Sequence, residues 1–276
     1  MRSEAGMSPK HHPLISATEL SRLLGEVKLF DLRWSLTAPT SGRESYERGH
    51  IPSAVFVDLD RDLAGNEGDG RHPLPHISDF VATLGRLGLS PDDTVVVYDD
   101  QGGAVAARMW WMLESIGHPG RVRVLDGGLQ EWVGHGFPID TGSVTPEPSA
   151  YPEVAGYTGV VRHDHLEGRV LADLRSPERY RGETEPIDPK AGHIPGAVNY
   201  PLSINLHDGR FRASSELAEA YRAFPDDGVV SCGSGVNACH GALALVIAGR
   251  PMPDVYIGSF SDWSRRDLPV STGPKP

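Results

Sequence analysis

The sequence has only two cysteines, Cys232 and Cys239, among its 276 residues. So few cysteines cannot build the disulfide framework on which small secreted proteins depend. A reduced, reactive thiol suits a reducing compartment, so we expect a cytoplasmic protein.

Long hydrophobic runs are also missing. No stretch reaches the roughly 20 apolar residues of a membrane-spanning helix. Residues 1–12 lack the apolar core of a signal peptide. Positive charge is scarce too, because 26 Lys and Arg residues face 37 Asp and Glu residues, for a net charge of −11. This balance predicts no nucleic-acid partner and no membrane partner, although it does not exclude a local anion site.

The chain has an ordinary globular composition, with 39% hydrophobic and 23% charged residues. Its length suits one large domain or two of roughly 130 residues. Three pairs of landmarks recur in the same order, at offsets of 142, 143 and 131 residues: Asp31 and Asp173, His50 and His193, and Trp132 and Trp263. Two nearly constant offsets followed by a shorter one indicate a tandem duplication with one deletion.

Apolar strands alternate with helical patterns in both halves, which predicts an α/β fold with a parallel sheet flanked by helices in each of two tandem domains. We expect a flexible tail at residues 1–13 and domains at residues 14–140 and 157–276. The linker at residues 141–156 is rich in Pro, Gly and Ser. Ser16 and Ser78 are predicted to cap helices, and the clearest strand of the first half is Thr94–Tyr98.

One loop carries the strongest chemical signal. Ser231–Ala238 follows an apolar strand and precedes a helix, and it contains a Cys-Gly-x-Gly turn. Cys232 would face backbone N–H groups and the positive end of the helix dipole, which favour the nucleophilic thiolate. The ordinary alternative is a buried structural cysteine at a strand end. We interpret Cys239, about two helical turns further on, as a small core residue.

The loop resembles the active-site loop of the rhodanese-type sulfurtransferases, most closely the mercaptopyruvate form, Cys-Gly-Ser-Gly-Val-Thr-Ala. Asn237 is the departure, since it replaces the threonine. The paired Gly-His-Ile-Pro motifs extend the resemblance along nearly the whole chain. It implies a tandem rhodanese architecture with a catalytic second domain and a silent first one. It also implies that Gly233, Gly235, Val236 and Asn237 surround the donor.

The first domain fits that expectation. Aligning Val96–Asp99 on Val229–Cys232 places Asp99 where the nucleophile would stand. A carboxylate cannot transfer sulfur, so this domain would close one side of the site instead.

The first half contains about ten extra residues, because Asp99 follows His50 by 49 residues and Cys232 follows His193 by only 39. The extra residues fit best in Arg61–Pro75. In the mercaptopyruvate enzymes, an aspartate and a histidine from this region reach the loop serine of the other domain.

The resemblance therefore nominates Ser234, His72 and Asp60 as a relay. An aspartate can orient an imidazole, and the imidazole can polarise a hydroxyl. The ordinary alternatives are a surface histidine for His72 and a turn-forming serine for Ser234.

Arg179 begins an Arg-Tyr-x-Gly motif that resembles the family's donor-binding motif. A guanidinium suits carboxylate or thiosulfate oxygens, whereas the ordinary alternative is a solvated arginine at a helix end. The family often has a second arginine nine residues later, and here that position is Asp188. Lys190 is the nearest cation that could compensate.

The resemblance implies a sulfurtransferase that moves a sulfane sulfur from 3-mercaptopyruvate or thiosulfate, through a Cys232 persulfide, to cyanide or a thiol. The acceptor could be a protein thiol such as that of thioredoxin. No cofactor and no metal are expected, because neighbouring histidines have no accompanying ligand cluster. Two alternatives stay open, a thiosulfate-preferring enzyme and a non-enzymatic sulfur-binding module. A phosphatase of the Cys-x5-Arg type is disfavoured, because Ala238 stands where its arginine is required.

Overall fold

The computed structural model describes residues 12–276. Most of the predicted N-terminal tail, residues 1–11, lies outside the described residues. Each half of the described chain contains a five-stranded, fully parallel sheet, which confirms the predicted α/β fold. No helix within these residues has both the length and the apolar character to cross a membrane.

The first sheet has the strand order β1-β5-β4-β2-β3. The elements of this half, in chain order, are β1 Leu14–Ile15, α1 Ala17–Arg22, β2 Lys28–Asp31, α2 Ser41–Arg48, β3 Val55–Phe56, α3 Leu59–Asp62, α4 Ile77–Arg86, β4 Val95–Tyr98, α5 Ala106–Ser115, β5 Val122–Leu125 and α6 Gly128–Gly134. Its central strand β4 is buried throughout, as its run of apolar residues predicts.

The second sheet repeats this order as β6-β12-β11-β7-β8, so the two halves share one topology. The strands of this half are β6 Val160–Val161, β7 Leu171–Asp173, β8 Ala197–Asn199, β9 Leu206–His207, β10 Arg210–Phe211, β11 Val229–Ser231 and β12 Asp254–Tyr256. Its helices are α7 Pro177–Arg181, α8 Ser214–Ala220, α9 Val236–Ile247 and α10 Ser259–Trp263, with 3₁₀ turns at His163–His165 and Leu202–Asn205. Strands β9 and β10 form a separate antiparallel hairpin.

The two helix-capping predictions had different outcomes. Ser16 caps α1, since its hydroxyl accepts a hydrogen bond from the Glu19 amide at 3.1 Å. Ser78 does not cap α4, because that helix begins one residue earlier, with His76 at the N-cap position. The Ser78 hydroxyl instead contacts Nδ1 of His76 at 2.9 Å.

The two halves pack together through α5 and α9, whose side chains are almost all buried. A helix that is buried on all sides needs neighbours on all sides, and here each helix lies between its own sheet and the other half. Trp110 and Trp111 of α5 are fully buried there. The loops that precede α5 and α9 are thereby held at the boundary between the halves.

Candidate active site

Cys232 lies at the carboxyl end of the central strand β11, and α9 begins four residues later. Its side chain is buried, with 3% of the residue exposed. The amide of Gly235 donates a hydrogen bond to Sγ at 3.1 Å. Gly235 adopts φ +81°, and a Cβ there would stand 2.3 Å from the Ile257 carbonyl oxygen. The turn that presents this amide to the sulfur therefore requires glycine.

The first two residues of α10 hold the loop from behind. Ser259 Oγ accepts a hydrogen bond from the Cys232 amide at 3.1 Å, and the Phe260 amide donates to the Cys232 carbonyl at 3.0 Å. The thiol thus sits on a fixed backbone, as a nucleophile must for efficient attack.

The loop forms the floor of a cleft of about 500 Å³ that both halves line. Of the residues named from the sequence, the lining includes Cys232, Gly233, Ser234, Val236, Asn237, Arg179 and His72. A small-molecule donor of a few carbon or sulfur atoms fits such a volume.

The structure brings the three nominated relay residues together across the two halves. His72 Nδ1 lies 2.9 Å from Ser234 Oγ, and His72 Nε2 lies 3.2 Å from Asp60 Oδ1. Burial lowers the pKa of His72 to about 4, so the imidazole is neutral near pH 7. Because an ionised carboxylate only accepts, Nε2 carries the proton and Nδ1 accepts a hydrogen bond from the Ser234 hydroxyl.

Trp34 contacts two of these three relay residues, and the sequence did not reveal it. Its indole N–H donates to Asp60 Oδ2 at 2.8 Å, and its ring meets the His72 ring edge to face. Asp60 is half exposed, and the indole holds its carboxylate in place. The only signal for Trp34 in the sequence is that it directly follows the strand end Asp31-Leu32-Arg33.

Arg179 reaches the cleft from α7. Glu185 and Asp188 accept hydrogen bonds from its guanidinium, at 2.8 Å and 3.2 Å respectively. Its Nη1 lies 3.5 Å from the position that a Cβ on Gly233 would occupy. One side of the guanidinium is therefore held by carboxylates and the other faces the loop.

Although Asp188 replaces the family's second arginine, the cleft wall still has a second guanidinium. Its buried carboxylate also accepts from Nη1 of Arg71 at 2.8 Å. Arg71 belongs to the extra segment of the first half, so a second guanidinium reaches the cleft from the other domain. Sequence reasoning missed Arg71, although it directly precedes His72.

Lys190 is not brought to the cleft. Its ammonium donates to the carbonyl oxygens of Arg266 at 2.8 Å and Leu268 at 3.1 Å. It is also absent from the residues that line the cleft. Lys190 therefore does not play the expected compensating role. The cation beside Asp188 is Arg71 instead.

Cys239 lies beneath the loop, where its S–H donates to the Gly235 carbonyl at 3.3 Å. Burial raises the pKa of this thiol to about 12, so it stays protonated. Both cysteines are free. Cys239 thus packs as a small core residue, while Cys232 is the one that opens onto the cleft.

The extra segment is fastened to the second half by its backbone. A Cβ on Gly70 would lie 2.4 Å from the Gly258 carbonyl oxygen, and the Arg71 amide donates to Ser261 Oγ at 2.9 Å. The fully buried Arg108 of α5 donates to the His72 carbonyl at 3.0 Å. These contacts fix the position from which His72 reaches Ser234.

One group of potential metal ligands lies outside the cleft within the described chain. Ligand atoms of Asp69, His163 and Asp262 all lie within 4.8 Å of one another. Arg266 already donates to Asp69 at 2.7 Å and to Asp262 at 2.8 Å. A guanidinium therefore supplies the positive charge of this group.

Known proteins are similar to this chain in both sequence and fold. The rhodanese-like domain family matches residues 16–135 and again residues 161–266. A probable 3-mercaptopyruvate sulfurtransferase of Pseudomonas aeruginosa is 40% identical over 280 residues, which cover 94% of this chain and 98% of that protein. The thiosulfate sulfurtransferase of Rattus norvegicus is 33% identical over 261 residues, 88% of this chain and 86% of that protein.

The solved 3-mercaptopyruvate sulfurtransferase of Leishmania major superposes with a TM-score of 0.83 at 30% identity. The match covers 93% of this chain and 75% of that one. The chain therefore belongs to the rhodanese-like family, as a sulfurtransferase with two rhodanese-like domains.

Proposed function

We propose that the chain transfers a sulfane sulfur from 3-mercaptopyruvate, through a persulfide on Cys232, to cyanide or a thiol. The observation that carries this proposal is the chain of contacts from Cys232's own loop, through Ser234 and His72, to Asp60 in the other half. A proton must be moved when mercaptopyruvate is the donor, whereas no proton is moved when thiosulfate is the donor.

In the first step, the Cys232 thiolate attacks the sulfur of mercaptopyruvate. An S–S bond forms, and the donor's C–S bond breaks, so that its electron pair passes to the enolate of pyruvate. The thiol proton of the donor ends on the methyl carbon of pyruvate. Cys232 is left as a persulfide anion, and no outside oxidant or reductant is needed.

The relay supplies the route for that proton. Neutral His72 accepts the hydrogen bond of Ser234, so it can take a proton through the hydroxyl and return it to the enolate carbon. Asp60 stabilises the imidazolium while the proton is held. Burial lowers the pKa of His72 to about 4, so at neutral pH the imidazole is uncharged and its Nδ1 can accept the hydrogen bond of the Ser234 hydroxyl.

In the second step, cyanide or a thiolate attacks the outer sulfur of the persulfide. The S–S bond breaks, the outer sulfur leaves with the acceptor, and the Cys232 thiolate is restored. We propose a small thiol or a protein thiol such as that of thioredoxin as the cellular acceptor. Because the cycle needs a reduced Cys232, we place the protein in the cytoplasm.

Thiosulfate is the second candidate donor. Two guanidinium groups, of Arg71 and Arg179, lie near Gly233 and could hold its oxygens. Attack on its outer sulfur releases sulfite and moves no proton. A thiosulfate enzyme would therefore leave the relay without a task.

The test is a side-by-side measurement of kcat/KM with both donors, with cyanide as acceptor. We expect the higher value with 3-mercaptopyruvate. Intact-protein mass spectrometry after incubation with donor should show one added sulfur. Cys232→Ser should lose both this adduct and turnover, whereas Cys239→Ser should keep most of the activity. A higher kcat/KM with thiosulfate, or a sulfur retained on Cys232→Ser, would refute the proposal.

A further inference from the structure

Two arginines and one carboxylate meet at the wall of the cleft. The Asp188 side chain is fully buried and bridges Arg71 at 2.8 Å and Arg179 at 3.2 Å. Both guanidinium groups lie near Gly233, at 3.3 Å and 3.5 Å from the position that a Cβ would occupy. Gly233 directly follows the nucleophile, so this group faces the place where a donor's anionic end would lie.

We propose that Arg71 and Asp188 select the charge of the sulfur donor. Arg71 supplies a second guanidinium from the first half, and the buried carboxylates of Asp188 and Glu185 balance the charges of the two arginines. With no net positive charge to attract a second negative charge, the cleft favours a monoanion such as 3-mercaptopyruvate over the dianion thiosulfate. This inference rests on the proposed sulfur transfer only in the choice of ligands, because it concerns binding.

The position of Arg71 is set before a donor arrives. Its backbone amide is held by Ser261, and Gly70 is packed against the Gly258 carbonyl. Its Nη1 is held by Asp188. A guanidinium fixed in this way loses little conformational freedom when an anion binds.

Arg71 also has hydrogen-bonding capacity to spare. Its Nε–H is buried and has no hydrogen-bond partner among the described residues. A buried donor without a partner is costly, so Asp188 alone does not satisfy this guanidinium.

The charges around the cleft wall balance. Three arginines pair with three carboxylates: Arg71, Arg175 and Arg179 with Asp173, Glu185 and Asp188. Removing the charge of Asp188 would leave one uncompensated positive charge. A dianion gains twice as much as a monoanion from that charge, because the Coulomb energy scales with the ligand's charge.

The experiment measures donor binding in a Cys232→Ser background, where turnover is blocked, by titration calorimetry with thiosulfate and with 3-mercaptopyruvate. Adding Asp188→Asn should tighten thiosulfate binding about tenfold more than mercaptopyruvate binding. Glu183→Gln is the matched control, since this exposed carboxylate on the same segment pairs with Arg181. It should change neither affinity.

Arg71→Met provides a second, independent variant. It should weaken both ligands, thiosulfate by roughly tenfold or more, while Arg181→Met should have no effect. The double variant Arg71→Met, Asp188→Asn restores the charge balance, so its selectivity should return toward that of the parent.

An unchanged ratio of the two affinities in Asp188→Asn overturns the proposal if that variant melts like its parent. If Asp188→Asn does not fold, unchanged thiosulfate binding in Arg71→Met overturns it. Failure of the proposed function is distinct, because it would appear in turnover by the wild-type chain, as a higher kcat/KM with thiosulfate or as no turnover with either donor, whatever the binding shows.

Discussion

Asp99 stands in the first half where Cys232 stands in the second. Each residue directly follows the central strand of its sheet, β4 or β11. The Asp99 carboxylate accepts four backbone hydrogen bonds from its loop, between 2.7 and 2.9 Å long. The outer sulfur of a persulfide lies as many bonds from Cβ as a carboxylate oxygen does. The first half therefore supports the proposal that such a loop can hold a persulfide anion.

We predict that Asp99→Asn destabilises the protein by about 3 kcal/mol, because an amide NH₂ would meet backbone N–H groups that now contact a buried carboxylate. Urea denaturation followed by circular dichroism measures this change. Asp92→Asn, at an exposed carboxylate, is the control and should change stability by less than about 0.5 kcal/mol. A loss below about 1 kcal/mol for Asp99→Asn would contradict the anchoring role of the four amides.

A second prediction concerns the contact between the halves at Gly70. In Gly70→Ala, the new Cβ would lie 2.4 Å from the Gly258 carbonyl oxygen, so the segment that carries Arg71 and His72 must move. We expect kcat/KM with 3-mercaptopyruvate to fall by about tenfold or more, since small displacements of reacting groups are costly. Steady-state kinetics measure the effect.

Gly136→Ala separates displacement from backbone strain. Gly136 has φ +70°, close to the +88° of Gly70, but a Cβ there would meet nothing within 4 Å. This variant should lose stability and keep its kcat/KM. Equal losses of kcat/KM in the two variants would show that the position of the extra segment is unimportant.

Much of the fold could be predicted from the sequence because its signals are local or repeated. Apolar strand runs and a glycine turn are read within a few residues, and the duplication makes each half a check on the other. The extra segment at residues 61–75 was detectable as a difference in spacing. Its partner in the second half was named only through the family resemblance, since His72 and Ser234 are 162 residues apart.

The Asp188 region shows where sequence reasoning ends. From the sequence, Asp188 looked like a lost cation, and Lys190 looked like the nearest replacement. The replacement beside Asp188 is Arg71, which is 117 residues away in the chain. No spacing rule connects two loops of different domains, because their contact depends on how α5 and α9 pack.

A third prediction follows from two buried histidines. Burial lowers the pKa of His72 and that of His240 to about 4, below the ordinary value of about 6.5. Between pH 6.5 and pH 4, the two histidines are therefore protonated in the unfolded chain but not in the folded chain. The free energy of unfolding is highest above about pH 7 and decreases as the pH drops through this window. At pH 5 the decrease is about 2 kcal/mol per histidine.

Thermal unfolding at pH 7 and pH 5 measures this loss. His240→Gln keeps a donor for the Gly102 carbonyl, which His240 Nε2 now contacts at 3.2 Å, and it removes one titrating group. The decrease in Tm between the two pH values should be smaller in this variant than in the wild type. His165→Gln, at an exposed ring, should keep the wild-type decrease. An unchanged decrease in His240→Gln would contradict the assignment.

The last prediction tests the proton relay directly. His72→Ala should lower kcat with 3-mercaptopyruvate by about a hundredfold, because the enolate of pyruvate must be protonated as it leaves. With thiosulfate, which leaves as sulfite and needs no proton, kcat should fall by less than about threefold. Asp60→Asn should show the same selective loss in a weaker form, since it removes the charge that stabilises the imidazolium while Trp34 can still hold the side chain. His76→Ala, at a nearby exposed histidine, is the matched control. Steady-state rates with both donors and cyanide give the comparison, and equal losses with the two donors in His72→Ala would reduce the histidine to a structural contact of Ser234.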